Sequence, residues 1–149
     1  MEDAKRLAEL APKIMTAFHD LGRQHPLGER LSMRQFQALI VLNASGTLTV
    51  SRLCDKLSLA PSTGTELVNR MIALGFIQKE HQYEDQRHVL LSVAPKGLAL
   101  MEQRKQALTE MFTNFLAKFP AEDQTCFVNC FERIWEFIQK YHSKEKKNI

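Results

Sequence analysis

The richest polar chemistry in this chain is concentrated in residues 60–71, APSTGTELVNRM. Ser62, Thr63 and Thr65 carry hydroxyls that both donate and accept, and a threonine methyl can touch the methyl of thymine. Asn69 presents an amide that pairs bidentately with adenine, while Arg70 has the reach and charge to meet a phosphate. At 100° per residue, Ser62, Thr65, Glu66, Asn69 and Ala73 fall on one side of a helix. Leu67, Met71 and Leu74 fall on the other, with Val68 at the edge and Gly64 among them. Small polar groups outside and apolar groups inside suit a helix that enters a major groove. The same pattern also describes an ordinary solvated helix face. Gly64 costs about 1 kcal/mol relative to alanine in an open helix, a cost that close packing against a neighbouring helix offsets. Glu66 has three readings: it accepts from a cytosine amino group, pairs with Arg70 four residues on, or completes a capping box if the helix starts at Thr63.

The remaining reactive residues form weaker patterns. Cys54 falls on an apolar face with Val50 and Leu57 and reads as a small buried hydrophobe. Cys126 and Cys130 are four apart on one helix face. Their Cβ separation of roughly 6 Å exceeds the ~3.8 Å of a disulfide, which argues against a bridge within the helix. Packing beside Phe127 and Phe131 is one role for them, and a cross-dimer disulfide or oxidant sensor is another. The histidines (His19, His25, His81, His88 and His142) have no metal-ligand spacing. No nucleophile elbow, phosphate loop, dinucleotide fingerprint or metalloprotease motif is present, so neither an enzyme nor a cofactor or metal site is expected.

These side chains need elements to hold them. A helical stripe of Leu7, Leu10, Ile14, Phe18 and Leu21 predicts a first helix over 3–22, broken by HPLGER. Ser32 with Gln35 forms a capping box that starts a second helix. Thr49 caps a short third helix, and SLAP turns the chain into the stretch described above, which stops at Gly75. FIQKEH and HVLLSV, joined by QYEDQR, predict a hairpin. Pro95 opens a long helix running through Met101, Leu108, Met111, Phe112, Phe115 and Phe119, and Pro120 interrupts it. A last helix carries Phe127, Phe131, Ile134, Ile138 and Tyr141 at spacings of four and three. Its aromatics suit a core or a dimer interface better than a ligand box.

The 149 residues suffice for one domain with a real core. No apolar run approaches the ~20 residues that cross a bilayer. The amino terminus, MEDAKRLAEL, is charged and amphipathic, unlike a signal peptide. Three cysteines are too few for a secreted disulfide framework, so a cytoplasmic location is expected, with no membrane partner. The net charge of +3 is spread evenly: residues 1–47 and 48–97 each hold six Lys/Arg against five Asp/Glu, and 98–149 hold eight against seven. This balance permits nucleic-acid binding without requiring it.

The order of helix, helix, short helix, turn, helix, hairpin and two long helices resembles the MarR (multiple antibiotic resistance regulator) family of winged-helix transcription factors. The residues that carry the resemblance are Ser62, Thr63, Thr65, Leu67, Asn69, Arg70 and Gly75, then Asp85, Arg87, Val89, Leu91 and Lys96-Gly97. Departures fall at Glu66, where a basic residue is common, at Gln86, where the wing often has a first arginine, and at Ala94, where a capping threonine is usual. The resemblance implies a homodimer on double-stranded DNA, with recognition helices in successive major grooves and Arg87 of the wing at the minor groove or its phosphates. It also implies regulation by a small-molecule effector or an oxidant.

The resulting expectation is a mainly α protein with a small β-hairpin: a winged helix-turn-helix over 32–97, with 1–22 and 98–149 as dimerisation helices. Ser62, Thr63, Thr65, Glu66, Asn69, Arg70, Gln86 and Arg87 are the candidate DNA-binding residues. Leu7, Leu10, Ile14, Phe127, Phe131, Ile134 and Ile138 are the candidate dimer contacts. The function expected is that of a sequence-specific repressor on a pseudo-palindromic operator. The alternative is a degenerate winged helix that serves as a protein-interaction module.

Overall fold

The computed structural model describes residues 1–23, 31–80 and 89–145. Two compact units divide the chain, Met1–Ala107 and Leu108–Ile149. The first contains α1 (Glu2–Arg23), α2 (Met33–Ser45), β1 (Leu48–Thr49), α3 (Val50–Leu57), α4 (Pro61–Ala73), β2 (Ile77–Glu80), β3 (Leu90–Val93) and most of α5 (Pro95–Leu116). The second contains the end of α5 and all of α6 (Ala121–Glu145).

Helix starts in the first unit follow the local sequence. Ser32 Oγ accepts from the Gln35 amide at 3.1 Å, and the Gln35 side chain accepts from the Ser32 amide at 2.9 Å, so the expected capping box is formed. Thr49 Oγ1 likewise accepts from the Arg52 amide at 3.2 Å and starts α3. Ser58, at φ 53°, closes α3, and the Leu59 amide returns to the Cys54 carbonyl at 2.9 Å. That tight turn delivers Pro61 to the first position of α4, where its missing N–H costs nothing.

Side chains from α2, α3, α4, α5 and the sheet region meet in one core. Ala38, Leu39 and Leu42 come from α2, Leu53 and Leu57 from α3, Val68 and Met71 from α4, Phe76, Ile77 and Leu91 from the sheet region, and Leu100 from α5. The sheet is antiparallel with strand order β1-β3-β2. Ile77 faces Val93 and Glu80 faces Leu90 across the hairpin strands, while Leu48 faces Leu91 on the other side. The expected hairpin is therefore the larger part of a three-stranded sheet. β1 is only two residues long, too short to give a periodic signal, and it runs straight into the cap of α3.

The second unit is built on aromatic packing. Phe115 and Phe127 meet at a tilt with ring centroids 5.3 Å apart, as do Phe127 and Phe131 at 4.9 Å, and Phe112 meets Phe131 edge-on at 6.4 Å. α5 ends at Leu116, so Phe119 lies in the connection rather than in the helix, 5.1 Å from Phe115. Glu122 and Asp123 in the first turn of α6 complement the positive end of its dipole.

Candidate nucleic-acid interface

α4 rests on α3 through Gly64. A Cβ at this position would collide with Cys54 Sγ, so the glycine permits a close helix crossing. Cys54 is itself buried, as its apolar surroundings require. Gly64, Val68 and Met71 form the buried side of α4. This face is rotated slightly from the expected one: Leu67 is only partly buried and Leu74 is exposed. The crossing at Gly64 sets the rotation, because the residue without a side chain must face the neighbouring helix, and Val68 then follows it inward.

The outer side of α4 is polar from end to end. Ser62, Thr63, Thr65, Glu66, Asn69 and Arg70 are all exposed. The helix starts at Pro61 with Ala60 as its N-cap and no side-chain cap. Glu66 therefore lies beyond the first turn, and the capping-box reading of this residue is overturned. Its carboxylate instead accepts from Arg70 Nη2 at 3.3 Å, the acid-before-base pairing favoured four residues apart. Thr65 Oγ1 donates to the Pro61 carbonyl at 2.8 Å. With its proton engaged there, the hydroxyl is left to act as an acceptor, beside the methyl group.

Two side-chain contacts to main-chain carbonyls, neither of them expected from the sequence, hold α3 and α4. Arg34 Nη1 of α2 donates to the Leu57 carbonyl at 3.2 Å, holding the last turn of α3. Lys96 Nζ of α5 donates to the Leu74 carbonyl at 3.0 Å, and the same ammonium lies 4.9 Å from the centre of the Phe76 ring. It thus holds the carboxyl end of α4, where a cation also meets the negative end of the helix dipole. Gly75, at φ 80°, supplies the left-handed residue that ends α4. The Gly75 amide then bonds to the Ile72 carbonyl at 2.9 Å and the Phe76 amide to the Met71 carbonyl at 3.0 Å. Gly97 lets α5 approach the Phe76 backbone, since a Cβ there would strike the Phe76 carbonyl oxygen and come within 2.8 Å of Val93 Cγ1. Lys96 had one legible signal, its place in the Lys-Gly pair after the hairpin. Arg34 had none, because its partner lies 23 residues away.

Gln86 and Arg87, the expected wing residues, lie outside the described residues, as does the QYEDQR connection around them. Cys126 and Cys130 are exposed rather than packed beside Phe127 and Phe131, because the ring contacts occupy a different side of α6. Among the described residues, no helix is long and apolar enough to cross a membrane.

A sequence profile described as the MarR family matches residues 31–89, which run from just before α2 to the residue before β3. An uncharacterised HTH-type transcriptional regulator of Mycobacterium leprae is 25% identical over 138 residues, covering 93% of this chain and 96% of the relative. Among solved structures, a MarR family protein of Bacillus stearothermophilus superposes with a TM-score of 0.72 at 27% identity, covering 93% of this chain and 96% of that one. Streptococcus pneumoniae FabT, in complex with DNA, shares the fold with a TM-score of 0.66 at 18% identity, covering 92% of this chain and 98% of that one. Residues 31–89 thus match the MarR family, and the capped helix-turn-helix and three-stranded sheet give the chain the winged-helix fold of the MarR family structure it resembles.

Proposed function

We propose that this protein is a homodimeric, sequence-specific DNA-binding repressor that reads a pseudo-palindromic operator with α4 and responds to a small-molecule effector or an oxidant. The observation that carries this reading is the division of α4: Gly64, Val68 and Met71 are buried, while Ser62, Thr63, Thr65, Glu66, Asn69 and Arg70 are all exposed. Small hydroxyl and amide side chains in that arrangement can reach base edges without keeping the helix out of the groove. Asn69 is the best adenine reader among them, Thr65 offers its acceptor and methyl, and Arg87 serves the wing. FabT, which has the same fold, has been solved in complex with DNA, which supports DNA as the partner.

The dimer reading rests on apolar faces that each unit leaves uncovered. On α1, Leu10 is 48% exposed and Ile14 50%, with Leu7 more open still. On α6, Phe131 is 43% exposed, Ile134 54% and Ile138 41%, with Phe127 partly buried beside them. Stripes of this regularity call for a covering surface, and a second copy supplies it with matching geometry. Two-fold symmetry then sets half-site centres about one helical turn apart.

The Glu66 carboxylate on the outer face of α4 motivates a second reading, a winged helix that binds protein instead of DNA. Selection of bound fragments from the source genome, followed by anisotropy titration, separates the two. The first reading expects saturable binding to a discrete, two-fold related site, weakening steeply as salt rises. Binding no tighter to any selected fragment than to random duplex would overturn it in favour of the second.

A further inference from the structure

On α6, Cys126 and Cys130 are both free and exposed, and they line one shallow concavity with Glu122, Thr125, Asn129 and Arg133. Successive turns of the helix place the two thiols side by side, with Cβ atoms roughly 6 Å apart. That gap is too wide for a direct sulfur–sulfur bond, whose Cβ atoms sit at ~3.8 Å. A single interposed atom bonded to both sulfurs adds a bond length to the reach and closes it. Among the described residues, no group of three or more His, Cys, Asp or Glu side chains could hold a metal ion. A four-ligand ion such as zinc is therefore not served by this pair alone. Two soft donors without a third select a thiophilic centre satisfied by two sulfurs.

We propose that Cys126 and Cys130 form a dithiol chelate site for monosubstituted trivalent arsenicals. The hydrated ligand carries two hydroxyls on arsenic. Each thiol forms one As–S bond and gives its proton to a departing hydroxide, so two waters leave. Arsenic keeps its oxidation state, and no oxidant or reductant takes part. The pair lies about 90° around α6 from the mean direction of Phe127, Phe131, Ile134 and Ile138 at 100° per residue. The proposal uses none of the candidate DNA-contacting residues, so it stands independently of DNA recognition.

The test incubates the full-length chain with phenylarsine oxide, adds excess glutathione and measures retained probe by intact-mass spectrometry. The parent should keep one probe per chain. Cys126→Ser and Cys130→Ser should each lose it, with retention falling by about 10²-fold because the second bond is no longer intramolecular. The double variant reports any contribution from buried Cys54. A Val128→Cys/Cys130→Ser chain keeps the number of thiols but sets them two residues apart, about 200° around the helix, and should behave like the single variants. The proposal is overturned if glutathione strips the parent as readily as the single variants. It is equally overturned if the respaced pair retains as much as the parent.

Discussion

Glu66 decides how freely the outer face of α4 can meet a polyanion. Its carboxylate and the Arg70 guanidinium are both well exposed, so their 3.3 Å pair contributes only about 0.3–0.5 kcal/mol to the helix. A phosphate can therefore draw Arg70 away at small cost, but the carboxylate then remains on the face proposed to approach DNA. Replacing Glu66 with Gln removes that charge and keeps the shape. E66Q is expected to bind the selected operator several-fold more tightly, and its salt slope should steepen by up to about one unit if Arg70 takes up a phosphate. Anisotropy titrations at several salt concentrations read both quantities. Weaker binding of E66Q, confined to operators with a cytosine at one position, would instead assign Glu66 to that cytosine's amino group. Thr65 shows a related limit on residue-level reading. Its hydroxyl was legible as a groove contact, but its donation to the Pro61 carbonyl depends on where the helix begins, which Pro61 and the turn at Ser58 determine.

At the scale of elements, α4 is held at both ends and along its inner side. Gly64 seats it on α3, the turn through Ser58 and Leu59 places its start, and Lys96 of α5 holds its last carbonyl. Lys96→Met retains an aliphatic stem against Phe76 and loses the donor to Leu74. The bond is exposed, so thermal stability should fall by no more than about 1 kcal/mol, while operator affinity drops as the end of α4 loosens. Lys96→Arg should restore affinity. Loss of affinity with no recovery in the arginine variant would point to a direct phosphate contact specific to the ammonium, and unchanged affinity in K96M would remove the positioning role. Most of this scaffold could be read in advance, because caps and terminators are local: Ser32 with Gln35, Thr49, Pro61 and Gly75 each announce a boundary within a few residues. What escaped the sequence was non-local. β1 is a two-residue strand defined only by its pairing with β3, the inward turn of Val68 follows from the glycine crossing, and the Arg34–Leu57 and Lys96–Leu74 contacts join distant parts of the chain. Of the two roles open to Cys126 and Cys130, packing beside Phe127 and Phe131 does not hold, since both thiols are exposed while Phe127 packs on Phe115 of α5.

For the whole molecule, the same apolar stripes that a lone chain leaves exposed connect assembly to recognition. One α4 offers few base contacts and the chain as a whole carries a net charge of only +3, so a single head has little electrostatic attraction to duplex DNA. In the proposed dimer, two heads joined through these stripes would engage two half-sites, and the second engagement would become intramolecular. Joining two modest sites in this way raises affinity by about 10²–10⁴-fold when the geometry fits. Ile134→Glu places a carboxylate in the middle of the α6 stripe, on a side chain already 54% exposed in the single chain, so each subunit should still fold. The variant is expected to run at the mass of one chain in light scattering where the parent runs at two. Its helical content by circular dichroism should stay close to that of the parent, and its affinity for the full operator should fall to that for an isolated half-site. A parent that already runs as a monomer would remove the dimer reading. A variant that remains dimeric with undiminished operator affinity would show that α6 does not carry the interface, and would shift attention to Leu7, Leu10 and Ile14 of α1.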